Sequence, residues 1–343
     1  MLSENLQQKI NQKLTQNPFL IKNLSKLIHT LGLIAGLGVF LFRLLKKPEL
    51  RKPQTHTTDE NKIQQLSEKR ELYRQHMADM TDHNGFVLYY ECDSTLFSGL
   101  VGCDPKVAVN LEAAIDLTGA WTRRPVDARG CDTCYPQHSK SSISRDMFVG
   151  VLWYIWHNKR LDLAEDIYAY GEKNSWIMGK GAASRIVFSP GLRSILAEII
   201  YRLGGKNRPI VRSIPHFVTK NNGFAAHLEV LTSGLRADLL GGADKQILDT
   251  LEYHALRQPH NALFNFFYHQ YTSTNQDWSI GLLMDEKHFP NSRLPERKDR
   301  KEFWLFQRDE DDSGWLPDQK SEKHPHPVHA GADLVFLSHL ILD

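Results

Sequence analysis

"SRDMFVGVLWYIW", residues 144–156, decides the fold. A serine suited to capping a helix precedes an Arg-Asp pair and then an apolar, aromatic run without period-two alternation. Such a run reads as a helix apolar on most faces, and therefore as one buried among other helices. Arg145 and Asp146 at its root then need partners. The carboxylate suits the positive end of the helix dipole, whereas the guanidinium does not and needs its own acceptor. Two accounts stay open: a ligand cleft begins at this pair, or Asp146 caps the first turn while Arg145 pairs with Asp93 or Asp116.

The same theme recurs on either side of this helix. Apolar helical segments are expected at 105–119, 160–173, 189–204, 222–240, 244–257, 260–272 and 331–342, separated by connections rich in Gly, Pro, Asn or Arg. Pro190 suits the first turn of its helix, and Gly204-Gly205 and Gly241-Gly242 suit helix ends. "GFVLYY", 85–90, is the one segment with strand character. The fold class expected is all-α, with about ten helices in the domain 85–343. The 343 residues carry a formal net charge of +2, which gives a nucleic-acid partner no support.

Ahead of that domain, residues 27–45 are apolar on every face and are closed by Arg43, Lys46 and Lys47. With Lys26 and Arg43 reaching outward, the segment suffices for a single membrane span, and Gly32 and Gly36 offer a close-packing face. Segment 1–47 is therefore expected to anchor the chain in a membrane, with the remainder extracytoplasmic. Residues 48–84 read as a linker followed by a polar helix at the domain edge.

Three connections combine charged and aromatic residues. Between Glu91 and Asp146 lie Asp93, Trp121, Arg123, Arg124, His138 and the Arg145–Asp146 pair. "KNSWIMGKGAASRIVFSPG", 173–191, presents Trp176, Lys180 and Arg185 but lacks the spacing of a phosphate-binding loop. The stretch 288–337 interleaves Arg293, Arg297, Arg300, Trp304 and Trp315, and His324, His326 and His329 could meet a metal if Asp333 joined them. No metal or cofactor is expected on balance. Cys92, Cys103, Cys131 and Cys134 all fall within the first of these regions. Two disulfides are the preferred account outside the cytoplasm, with a metal site or free thiols as alternatives.

The helical-hairpin rhythm, the Arg-Asp pair heading an aromatic helix, "WTRRP" at 121–125 and the terminal "HAGADLVFL" together resemble the (α/α) toroid proteins, the six-hairpin glycosidases and related polysaccharide lyases. The resemblance spans roughly residues 85–343 and implies a cleft where acids flank a glycosidic bond and aromatic rings stack on sugars. Asp146 after Arg145 matches the Arg-Asp found at the cleft in some of these families, and Asp93 is the partner acid selected here. The function expected is hydrolysis of an acidic polysaccharide by paired carboxylates, one of them protonated by burial against Trp153 or Trp156. Substrate would be bound by Arg145, Trp121, Arg123, Arg124, His138, Trp176, Arg300 and Trp304. A lyase, with His138 or His216 as base beside an arginine, is the second choice. The rival class is a membrane-anchored binding module, since Trp, Tyr and Arg also dominate protein interfaces.

Overall fold

The computed structural model describes residues 49–54, 59–87, 93–125, 142–181, 184–208, 226–272, 277–295, 299 and 331–343. The chain divides into two compact units, Met1–Pro48 and Glu49–Asp343, and the described residues all belong to the second. The expected membrane segment 27–45 lies outside them. No described helix is long and apolar enough to cross a membrane.

The described body is mainly helical. Its helices are α1 (Glu60–Ala78), α2 (Ser94–Val101), α3 (Arg145–His157), α4 (Leu161–Lys173), α5 (Pro190–Arg202), α6 (Ala226–Leu240), α7 (Lys245–Arg257), α8 (Ala262–Tyr271), α9 (Asp277–Met284) and α10 (Ala332–Leu342). A 3₁₀ turn spans Leu111–Ala114. One antiparallel hairpin, β1 (Ile177–Lys180) and β2 (Arg185–Val187), joins α4 to α5, in a stretch expected to be loop.

Six helices form a closed circuit of neighbours: α2 packs on α3, α3 on α5, α5 on α6, α6 on α8, α8 on α10, and α10 again on α2. They run in one direction. The backbone of Leu96 lies against Gly150, and Gly102 farther along α2 lies against Tyr154. The α6 helix follows α3 in step, with His227 beside Asp146, the Leu231 carbonyl accepting from Trp153 Nε1, and Asp238 accepting from Trp156 Nε1. On α10, Phe336 meets Trp153 and His339 meets His157. Short turns at 241–244 and 258–261 fold α7 back between α6 and α8, which sets α8 parallel to α6.

Trp153 fills the middle of the circuit. It is 1% exposed, its ring centroid lies 5.8 Å from that of Phe267 and 5.1 Å from that of Phe336, and its indole N–H is satisfied by the Leu231 carbonyl. Gly99 and Gly150 bring α2 and α3 into backbone contact: a Cβ on Gly150 would stand 2.4 Å from the Leu96 carbonyl oxygen, and one on Gly99 2.5 Å from the Gly150 backbone. Only glycine permits that approach.

This topology separates two ends. The N-termini of α2, α3, α5, α6, α8 and α10 point one way. Long stretches of chain, 79–93, 115–144, 174–189 and 285–331, precede α2, α3, α5 and α10 in the sequence, whereas only a few residues follow α3 before α4, α6 before α7 and α8 before α9. Residues 48–84 contribute α1, whose cations close the opposite end. Lys69 Nζ donates to the Met284 carbonyl at the end of α9 (3.2 Å), Arg70 pairs with Asp343 after α10, and Arg74 pairs with Asp104 after α2. Each cation meets a helix C-terminus, where the dipole favours it.

The segment 105–119, expected to be helical, holds turns around Leu111–Ala114 instead. Asp116 diverts the chain by accepting from the backbone N–H groups of Thr118 (2.8 Å) and Ala120 (3.0 Å). Of "GFVLYY", Val87 forms an isolated bridge with Thr81, and 88–90 lie outside the described residues.

Candidate functional site

Because α2, α3 and α6 run together, Asp93, Asp146 and His227 arrive at the same end. Asp93 is the residue before α2, Asp146 stands in the first turn of α3 and His227 in the first turn of α6. Arg123 joins them from an extended segment fixed on both sides: its carbonyl accepts from Thr95 N–H (2.9 Å), and its N–H donates to the Ser142 carbonyl (2.9 Å).

Arg123 Nη1 donates to Asp93 Oδ1 at 2.8 Å, and both residues are buried (8% and 7% exposed). Asp146 accepts from His227 Nε2 at 3.2 Å and from the Ser144 hydroxyl. Burial opposes the charge on Asp146. The His227 hydrogen bond and charge, the Ser144 hydroxyl and the positive field of Arg123 outweigh it and hold the carboxyl well below the usual carboxylate range. Asp146 is therefore ionised at neutral pH. It cannot serve as the protonated acid expected from burial against Trp153 or Trp156, for those side chains lie two or more turns along α3.

Helix α3 is capped at Ser144 without a side-chain cap bond, because the Ser144 hydroxyl turns to Asp146. Arg145 is exposed and pairs with neither expected acid, since Arg123 holds Asp93 and the Thr118–Ala120 turn holds Asp116. Arg124 is half-buried beside Arg123. Trp121, expected as a stacking face, is 2% exposed and locked in a bridge with Ile115, so it belongs to the core. Trp176 is half-buried with its ring committed: Arg193 lies over it at 4.1 Å, Phe188 stacks at 6.2 Å and Tyr168 meets it edge-on at 5.0 Å. His138, His216, Arg300, Trp304 and His324, His326 and His329 lie outside the described residues. Asp333 is buried in the first turn of α10. Among the described residues no group of three or more His, Cys, Asp or Glu could hold a metal ion.

Cys103 is a free, buried thiol whose Sγ donates to the Gly99 carbonyl at 3.4 Å. Burial pushes it well above the ordinary thiol range. This corrects the two-disulfide expectation, because Cys103 closes α2 at the end remote from Asp93 and its sulfur is spent on the helix. Cys92, Cys131 and Cys134 lie outside the described residues.

Three other His–acid arrangements are present among the described residues, one of them the surface pair His288 Nδ1–Asp285 (3.0 Å) after α9. Glu229 and His254 (2.7 Å) are buried between α6 and α7, outside the circuit. At the far end, His339 Nδ1 lies 2.9 Å from Asp343 and its Nε2 lies 3.4 Å from His157 Nδ1, while His157 Nε2 stands 3.8 Å from Asp238. Among the described residues, only the Asp146–His227 pair sits where helix N-termini and an arginine coincide.

Sequence reading missed His227. Its one signal is an imidazole inside the apolar segment "FAAHLEVL", 224–231, which a buried helix tolerates only with a partner. That partner is 81 positions away. Comparison with protein-family models, with curated protein sequences and with solved structures found no match.

Proposed function

We propose that the chain is a membrane-anchored enzyme that cleaves an acidic polysaccharide, its helical body an (α/α) toroid tethered through residues 27–45. The circuit of parallel helices supports the toroid reading. The single observation that carries the activity is His227 held by an ionised Asp146 beside Arg123.

That arrangement favours β-elimination over paired-carboxylate hydrolysis. Elimination needs a base to remove the proton from the carbon next to a uronate carboxylate, and positive charge to stabilise the resulting carbanion. His227 in its neutral form, held through Nε2 by Asp146, is the base proposed, and because the side chain is 2% exposed the substrate must displace what covers it. The C4–O4 bond then breaks, a C4–C5 double bond forms, and the leaving oxygen takes up a proton. Arg145 and the N-termini of α2 and α3 supply the positive field. Hydrolysis would require a protonated carboxyl, a role that Asp146 does not fill.

The test is incubation of the full chain with polyuronates and neutral polysaccharides, following ultraviolet absorbance of unsaturated products and, separately, new reducing ends. Absorbance rising with polyuronate alone is expected, with His227→Gln and Asp146→Asn each lowering it by about 10²–10⁴. Reducing ends without absorbance would establish hydrolysis and overturn elimination. A second reading, a binding module without turnover, is favoured by the burial of the Asp93–Arg123 pair. It predicts binding with neither signal.

A further inference from the structure

The β1–β2 hairpin carries a charge arrangement that its own stability does not explain. Lys180 and Arg185 are direct partners in the antiparallel register, so their side chains leave the same face as neighbours. Both are exposed, and neither makes an ion pair among the described residues. Like charges directly opposed across a hairpin repel, and that repulsion is relieved when an anion lies between them.

The hairpin is tied to the candidate centre through backbone. Ser142 N–H donates to the Lys180 carbonyl (2.7 Å), Lys180 N–H donates to Ser142 Oγ (2.9 Å), and Arg123 N–H donates to the Ser142 carbonyl. Gly179 is pressed against Ser142 and Ile143, where a Cβ would come within 2.6 Å of each side chain. Segments 123, 142, 180 and 185 thus lie in hydrogen-bonded series. At about 4.8 Å per step, Arg185 stands roughly 14 Å from Arg123. Exposed Arg145 lies beside this series, three residues beyond Ser142.

We propose that Lys180 and Arg185, flanked by Arg145, form a subsite for a carboxylate-bearing sugar unit of a polyanionic glycan, one or more units removed from the unit at His227. It deepens the reaction proposed above and rests on that reading for the substrate class. A single monosaccharide does not bridge a gap of that size, so the ligand is a polymer. The ledge answers the isolated cations that the sequence placed in "GKGAASR", 179–185, and that the centre itself leaves unused.

The experiment is titration of the full chain with a polyuronate, a neutral glucan and duplex DNA, comparing the parent with Lys180→Glu/Arg185→Glu and with His227→Gln. Expected are polyuronate binding that weakens with salt, no binding of the glucan, and about tenfold weaker polyuronate binding in the charge-reversed variant. Affinity reads the subsite and turnover reads His227, so a failure of the chemistry is distinguishable from a failure of the subsite. Unchanged affinity in the charge-reversed variant overturns the subsite, as does its complete absence in the parent. Equal affinity for duplex DNA and polyuronate overturns the assignment to a glycan. Lys180→Gln/Arg185→Gln, which removes repulsion from the hairpin without adding charge, should fold as the parent and bind the polymer about threefold more weakly.

Discussion

The two ends of the helix circuit are built from the same side chains and put them to opposite uses. At the N-terminal end Asp146 is held ionised against burial by hydrogen bonds from His227 and Ser144 and by Arg123. At the C-terminal end burial prevails. His157 is pushed down to about 4 by desolvation and by the neighbouring His339 and Lys159, and desolvation raises Asp238 despite its bond from Trp156. One end keeps an ion where helix dipoles favour anions. The other seals itself with the neutral imidazole of His157 and with the α1 cations over the helix C-termini. A His–acid contact alone does not single out a candidate site; the field around it does.

The comparison breaks most completely through the middle. Trp153→Ala removes the side chain that both ends share and should cost about 3–5 kcal/mol, seen as a lower urea midpoint. Gly150→Val should cost about 3 kcal/mol by forcing α2 off α3, and it should disturb the Asp93–Asp146 alignment as well. Breaking the seal has a similar scale: Arg74→Met leaves Asp104, 1% exposed, without its cation and should cost about 3 kcal/mol or more.

Much of this organisation is legible in the sequence, and the exceptions have physical causes. The amphipathic helices α4 and α7 and the apolar α3 and α10 lie where periodicity and caps place them, to within a few residues. Helix α2 escaped because "STLFSGLV" is short, buried all round and rich in Ser and Gly, so no polar face betrays its period. The hairpin escaped because its glycines read as loop, and "DWSIGLLM" of α9 because eight residues are too few to show a helical period. Asp146 and Asp93 stood out as acids beside apolar helices. That they share the influence of Arg123 depends on helix direction, which no local pattern encodes. His227 needed a partner on another helix.

Acid titration sharpens the contrast between the ends. The unfolded chain takes up the His157 proton below about pH 6.5, while the folded protein resists until about pH 4. Stability from this group is therefore complete above about pH 6.5 and drains between there and pH 4, by up to roughly 3 kcal/mol. His157→Gln should flatten that slope in urea unfolding at a series of pH values. Asp146 behaves in the opposite sense. Its depressed folded value stabilises the protein above the unfolded carboxylate range, and that contribution is lost only as pH falls below about 4. The Asp146→Asn variant should therefore differ from the parent in pH dependence below pH 4 and not between 4 and 6.5.

The smallest effect is expected at Lys159, which closes α3 with φ at +56° and sets its ammonium over Trp156 at 4.0 Å. A left-handed lysine costs about 1 kcal/mol, and an exposed cation–π contact returns about half of that. Lys159→Gly should raise stability by about 0.5 kcal/mol, measurable as a small increase in the urea midpoint.

The most direct measurement sets the two ends against each other in one assay: turnover of a polyuronate by His227→Gln and by His157→Gln, with the fold of each checked by circular dichroism. His227→Gln should lose at least about 100-fold while folded, and His157→Gln should retain the parent rate. A folded His227→Gln protein that turns over as fast as the parent would contradict the account.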